Sequence, residues 1–139
     1  QPCSSAASDV YKRQSLFSSN SSIRKFLVNK QKTFGINKNI VVEGRDITTV
    51  VFPDAEIKVF MTADIQVRAK RRFNEMKSKN PDITYSDVIK NLEDRDIQDS
   101  TRKDSPLMVA DDAFILDTSD LEINDQVDKI INFISNKFS

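Results

Sequence analysis

The chain has 139 residues, with 21 Lys+Arg balanced by 21 Asp+Glu, one cysteine and no histidine. That length suits one domain, or most of one, and the zero net charge disfavours a general binder of nucleic acid or anionic membrane. Lone Cys3 excludes a disulfide framework or a Cys-based zinc site, the missing histidine excludes imidazole chemistry, and no apolar run approaches the roughly 20 residues that cross a bilayer. The expectation is a soluble, cytoplasmic protein with neither nucleic-acid nor membrane partners. Its chemistry must rest on Arg, Lys, Asp, Glu, Ser and Thr.

Residues 1–14, QPCSSAASDVYKRQ, show neither helical nor strand periodicity and are expected to be a disordered leader foreign to the rest of the chain. Order begins at Ser15. Ser21 and Ser22 are placed to cap a helix with Ile23, Phe26 and Leu27 on one face, and Gly35 to stop it. Three short apolar runs at 40–42, 57–62 and 113–117 read as strands buried on both faces, as in a parallel sheet. A helix from Asp64 carries Ile65, Ala69, Phe73 and Met76 as one stripe and ends at Asn80-Pro81-Asp82. Thr84-x-x-Asp87 reads as a capping box opening the next helix. The last helix is expected to bury Ile123, Val127, Ile130, Ile131 and Ile134. This order gives an α/β fold with a mainly parallel sheet and flanking helices.

Three places concentrate polar chemistry. On the helix from Thr84, the stripe of Tyr85, Val88 and Leu92 continues as Arg95, Asp99 and Arg102. Two guanidiniums on one face can grip phosphate oxygens, and the same spacing also suits a solvated ion-pair ladder. Arg68, Arg71, Arg72 and Glu75 form an arc on the preceding helix, either a solvated face or a flap that closes over a polyphosphate. Between two apolar runs lies Glu43-Gly44-Arg45-Asp46, where Gly44 permits a tight turn or a close backbone approach. Arg45 and Asp46 then point into a cleft, or the segment is a plain surface turn.

VVEGRDITTVVFPDA at 41–55, IKVFMTA at 57–63, RAKRR at 68–72 and DRDIQDSTRKDSPL at 94–107 together closely resemble the bacterial cytidylate kinase family, from about Ser15 to the C-terminus. The resemblance implies phosphoryl transfer from ATP, with Mg2+, to CMP or dCMP by a monomeric enzyme of P-loop NTPase-like fold. It implies that Ser15, Arg24 and Asp46 read the cytosine ring, that Arg45 and Arg102 hold the CMP phosphate, and that Arg95 and Asp99 lie near ribose and phosphate. Arg71 is directed at ATP from a lid spanning about 64–84. Arg45, Arg71 and Arg102 are the expected catalytic side chains; no residue is expected to ligate a metal.

The sequence departs from the family pattern in places. Glu43 and Thr48 stand where relatives often carry Asp and Gly, and Gln98 where an arginine is common. The family's phosphate loop, G-x-x-x-x-G-K-[ST], is absent, since the only glycines are Gly35 and Gly44. Residues 15–139 therefore read as an N-terminally truncated, C-terminal part of such a kinase, inactive by itself. The alternatives are a non-catalytic nucleotide-binding or interaction domain, and a kinase for another nucleoside monophosphate.

Overall fold

The computed structural model describes residues 20–139. The leader expected at 1–14, and Ser15, lie outside the described residues. The rest divides into two compact units, residues 20–53 with 98–108 and residues 54–97 with 109–139. Among the described residues no helix is long and apolar enough to cross a membrane.

In the first unit, helix α1 spans Ser21–Phe34. Its cap is Asn20 rather than either serine: Asn20 Oδ1 accepts from the Ser22 and Ile23 amides at 3.0 and 3.2 Å. A short side-chain acceptor just ahead of the first turn satisfies amides that have no partner within the helix. Gly35 closes the helix at φ −86°, an ordinary right-handed value. Its glycine character answers a different need. A Cβ there would lie 2.7 Å from the Phe52 ring, so Gly35 is the notch that seats Phe52.

The buried side of α1 is not the expected one. Phe26 and Leu27 are exposed, whereas Ile23, Arg24 and Val28 are half-buried. The helix is rotated by a polar tether, the Arg24–Asp46 ion pair at 2.7 Å, which hydropathy does not register.

The expected strand at 40–42 does not form. The segment makes no ladder among the described residues, and Val41 is fully exposed. A strand exists only by pairing, and apolar composition does not substitute for a neighbour. The following apolar run is no strand either. Ile47–Val51 is a π-turn, in which the Phe52 amide donates to the Ile47 carbonyl at 2.7 Å. Its side chains Ile47 and Val51 form the apolar centre of this unit.

In the second unit, β1 (Val59–Thr62) and β2 (Phe114–Asp117) pair in parallel with Val59 opposite Phe114. The parallel pairing agrees with the α/β reading. Burial on both faces does not hold, because Met61 and Ile115 are exposed while Leu116 is buried. Helix α2 (Ile65–Lys77) starts where Asp64 Oδ1 accepts from the Gln66 amide at 2.7 Å. Helix α3 (Tyr85–Thr101) starts on the expected capping box. Thr84 Oγ1 accepts from the Asp87 amide at 3.1 Å, and Asp87 Oδ2 accepts from the Thr84 amide at 3.3 Å. Ala69 and Val88 are buried, and Phe73 meets Tyr85 edge-to-face at 5.9 Å. α3 runs within this unit as far as Ile97.

Helix α4 (Ile123–Phe138) stacks Phe133 on Phe114 at 4.5 Å. The remainder of its expected stripe is not buried: Ile123, Val127 and Ile131 are exposed, and Ile130 and Ile134 are half-buried. Helical spacing identifies an apolar face correctly but cannot say whether anything covers it.

Lys58 is buried, and its ammonium donates to both oxygens of exposed Asp112 at 2.8 and 2.9 Å. That hydrogen bond is the chief reason the Asp112 carboxyl titrates below its ordinary value. A carboxyl with a depressed folded pKa stabilises the fold above its unfolded pKa and loses that contribution as pH falls through the folded value. Asp112→Asn should therefore lower the melting temperature at neutral pH. The gap from the parent chain should close once pH drops below about 4. Thermal melts over a pH series check this, and a deficit equal at every pH would contradict it.

Candidate functional site

The polar residues of the first unit converge on one alternating chain of charges. Arg24 Nη2 pairs with Asp46 Oδ2 at 2.7 Å, and Arg102 Nη2 stands 3.9 Å from the same oxygen. Arg102 Nη1 donates to Asp99 Oδ1 at 3.2 Å, and Arg45 Nη1 lies 2.5 Å from Asp99 Oδ2. The order is Arg24, Asp46, Arg102, Asp99, Arg45. Three guanidiniums against two carboxylates leave the cluster with a formal charge of +1.

Local structure explains each placement. Arg24 lies on the inner face of α1. Asp46 heads the π-turn, where its carbonyl accepts from the Val50 and Val51 amides at 2.9 and 3.2 Å. An aspartate in that position commonly caps the turn with its side chain. Asp46 makes no such bond, and its carboxylate is turned to the arginines instead. π-turns recur at functional sites because the extra residue re-aims neighbouring side chains. Asp99 and Arg102 are one helical turn apart at the end of α3, so both reach the same neighbours.

Gly44 belongs to this arrangement. Its φ is not positive, so left-handed backbone is not the reason for a glycine. A Cβ there would lie 2.7 Å from Ile47 Cγ1, the stem of a buried, branched side chain. The glycine lets the chain pass Ile47 as it enters the π-turn that aims Asp46. Gly44→Ala should destabilise the fold by about 1–3 kcal/mol through overpacking. Urea unfolding should show a lower midpoint with an unchanged slope; an unchanged midpoint would mean that Ile47 yields freely.

Side-chain exposure differs across the cluster, 33% for Arg45 against 19% for Arg102 and 12% for Asp99. Arg45 therefore borders solvent while Arg102 sits deeper. Burial lowers the Arg102 pKa, and the nearby positive charge of Arg24 lowers it further; Asp99 and Asp46 oppose both. Beside the cluster is a groove of about 330 Å3, lined by Arg24, Val28, Val50, Asp104 and Ser105 among others. That volume lies within the range of small-molecule sites.

Of the other expected site residues, Ser15 lies outside the described residues, and Arg95 and Arg71 belong to the second unit. Arg95 is exposed on α3, in the second unit. Arg71 donates to Thr118 Oγ1 at 3.1 Å and to the Thr118 carbonyl at 2.6 Å, at the end of β2. Its neighbours on the arc are held as well, Arg68 by Asp96 at 2.7 Å and Arg72 by Glu75 at 3.1 Å. One contributor escapes sequence reasoning altogether. The Ser105 carbonyl accepts from Arg102 Nε at 2.5 Å. Asp104-Ser105-Pro106 announces a turn, but nothing in it says where a carbonyl will point.

A profile of the cytidylate kinase family matches residues 5–136. The chain is 51% identical over 115 residues to a cytidylate kinase of Fusobacterium nucleatum subsp. nucleatum, covering 83% of this chain and 51% of that protein. It is 47% identical to one of Flavobacterium johnsoniae, covering 83% and 50%. Against one of Fervidobacterium nodosum it is 44% identical over 123 residues, covering 88% and 56%. The chain thus spans about half the length of the curated relatives it matches. With the family profile matched over nearly its whole length, the chain belongs to the cytidylate kinase family.

Proposed function

We propose that the first unit is the monophosphate-binding part of a cytoplasmic, P-loop NTPase-like kinase that transfers a phosphoryl group from ATP to CMP or dCMP. The observation that carries this reading is the alternating chain from Arg24 to Arg45, which unites five of the residues assigned to CMP. A cluster of formal charge +1 with a half-exposed arginine at its edge suits a nucleotide phosphate. In this reading Arg45 exchanges Asp99 for a phosphate oxygen, and Arg102 supplies a second fork from below. Asp46 accepts from the amino group of cytosine and, with Arg24 and Ser15, reads the base. Arg95 and Asp99 serve the ribose and phosphate. The attacking oxygen belongs to the CMP phosphate, so the arginines act by fixing its position and balancing its charge.

Arg71 is assigned to the ATP side, on a lid of about residues 64–84, and must release Thr118 to act there. ATP-bound magnesium is a different matter. Among the described residues no group of three Asp, Glu, His or Cys could hold a metal ion. With no phosphate loop in these 139 residues, no magnesium-dependent step is assigned to the chain.

Calorimetry with CMP, UMP, AMP and cytidine, together with ADP release from ATP plus CMP, tests the proposal. CMP should bind well above cytidine and UMP, and the chain alone should release no ADP above a no-enzyme control. CMP binding no stronger than cytidine binding would sink the phosphate-site reading. A second reading is a nucleotide-binding module without transfer activity. ADP release that survives repurification would dismiss it.

A further inference from the structure

We propose that Ser105 is a positioning residue for the phosphate-binding arginine: its left-handed backbone turns the Ser105 carbonyl onto Arg102 Nε and so fixes the plane of the guanidinium. This rests on reading the first unit as a monophosphate site.

Among the described residues only Asn37 and Ser105 are non-glycine positions with positive φ, at 55° and 53°. Asparagine tolerates that region well. Serine is less suited to it, and Ser105 also precedes Pro106, which ordinarily drives the residue before it toward extended backbone. The local preferences of both residues therefore oppose the observed conformation. Such a conformation persists only where surrounding structure holds it, and it gathers at ligand-binding positions.

The holding contacts lie beside the site. The Leu107 amide donates to the Asp99 carbonyl at 2.7 Å, tying the loop after α3 back onto the turn that carries Asp99 and Arg102. Within that loop the Ser105 carbonyl accepts from Arg102 Nε at 2.5 Å, while Arg102 Nη1 donates to Asp99 Oδ1 at 3.2 Å. A guanidinium is planar, so bonds at Nε and at one terminal nitrogen determine where the other nitrogen points. Rotation of Ser105 to negative φ would swing its carbonyl off Nε and leave the Asp99 bond and the more distant Asp46 carboxylate to orient the group. The serine hydroxyl has no part in this scheme; the backbone angle does the positioning.

The test uses the full chain with Ser105→Gly, Ser105→Asn and Ser105→Val. Glycine and asparagine accept positive φ, and a β-branched valine resists it. Nitrogen-edited NMR of the arginine Nε–H groups reports the bond directly, with the Arg102 signal assigned by its loss in Arg102→Lys. The parent, Ser105→Gly and Ser105→Asn should each show a slowly exchanging Arg102 Nε–H. Ser105→Val should lose that protection and bind CMP about tenfold more weakly, with cytidine binding unchanged. A protected Nε–H in Ser105→Val, or its loss in Ser105→Gly, overturns the proposal. If Ser105→Val does not fold, the other two variants decide, since both must retain the protected signal. A parent chain that fails to bind CMP counts against the functional reading, and the Nε–H measurement still judges Ser105.

Discussion

Arg102→Ala is expected to weaken CMP binding roughly ten- to a hundredfold, because each charge-assisted hydrogen bond to a phosphate is worth about 1.5–3 kcal/mol. The fold should survive. Asp46 keeps Arg24 at 2.7 Å and Asp99 keeps Arg45 at 2.5 Å, so neither carboxylate is left with an uncompensated charge. Arg102→Lys should recover only part of the loss. A single ammonium cannot meet Asp99 and the Ser105 carbonyl in one plane while presenting a fork to a phosphate. Arg68→Ala is the control. Arg68 is paired with Asp96 in the second unit, and its removal should leave CMP affinity within about twofold of the parent, as for most surface ion pairs. Calorimetric titration of the three variants decides. A silent Arg102→Ala beside a damaging Arg68→Ala would refute the assignment of phosphate binding to the first unit.

What the sequence reveals of this molecule follows the range of the interactions concerned. The Thr84–Asp87 box closes within three residues and forms as its spacing predicts. The parallel pair of β1 and β2 is legible because two apolar runs flank helices of clear period. The segment at 40–42 is wholly apolar and is not a strand, since pairing is a property of two segments and composition of one. The π-turn leaves no signature: Ile47-Thr48-Thr49-Val50-Val51 is rich in β-branched residues and reads as extended. The orientation of α1 was hidden for a related reason, because the ion pair that sets it joins residues 22 apart.

The site was legible in its residues more than in its geometry. The Asp99-x-x-Arg102 spacing places both side chains on one face, and the structure adds that Arg45 and Asp46 meet them there. The choice between solvated ladder and built cluster turns on burial. Asp99 is buried and Arg102 largely so, whereas Arg95, one turn earlier on α3, is exposed.

Asp46→Ala is expected to abolish discrimination between CMP and UMP. In the proposed site the Asp46 carboxylate accepts from the cytosine amino group; uracil carries a carbonyl there, which the carboxylate repels. Removing it should weaken CMP at least tenfold without weakening UMP, since a hydrogen bond to a charged group is lost for CMP while a repulsion is relieved for UMP. Asp46→Asn is the sharper probe. The amide keeps the shape but can present a donor to a carbonyl, so CMP should weaken while UMP gains. Stability should separate the two variants. The Asp46 carboxylate stands between Arg24 at 2.7 Å and Arg102 at 3.9 Å, and alanine leaves those guanidiniums facing each other across a gap. A partly buried pair broken in this way costs on the order of 3 kcal/mol, whereas asparagine still accepts from Arg24 and should cost less. Paired thermal melts and CMP/UMP titrations give both readouts. Equal weakening of the two nucleotides in Asp46→Asn would remove Asp46 from base recognition and reduce its role to tethering Arg24 and Arg102.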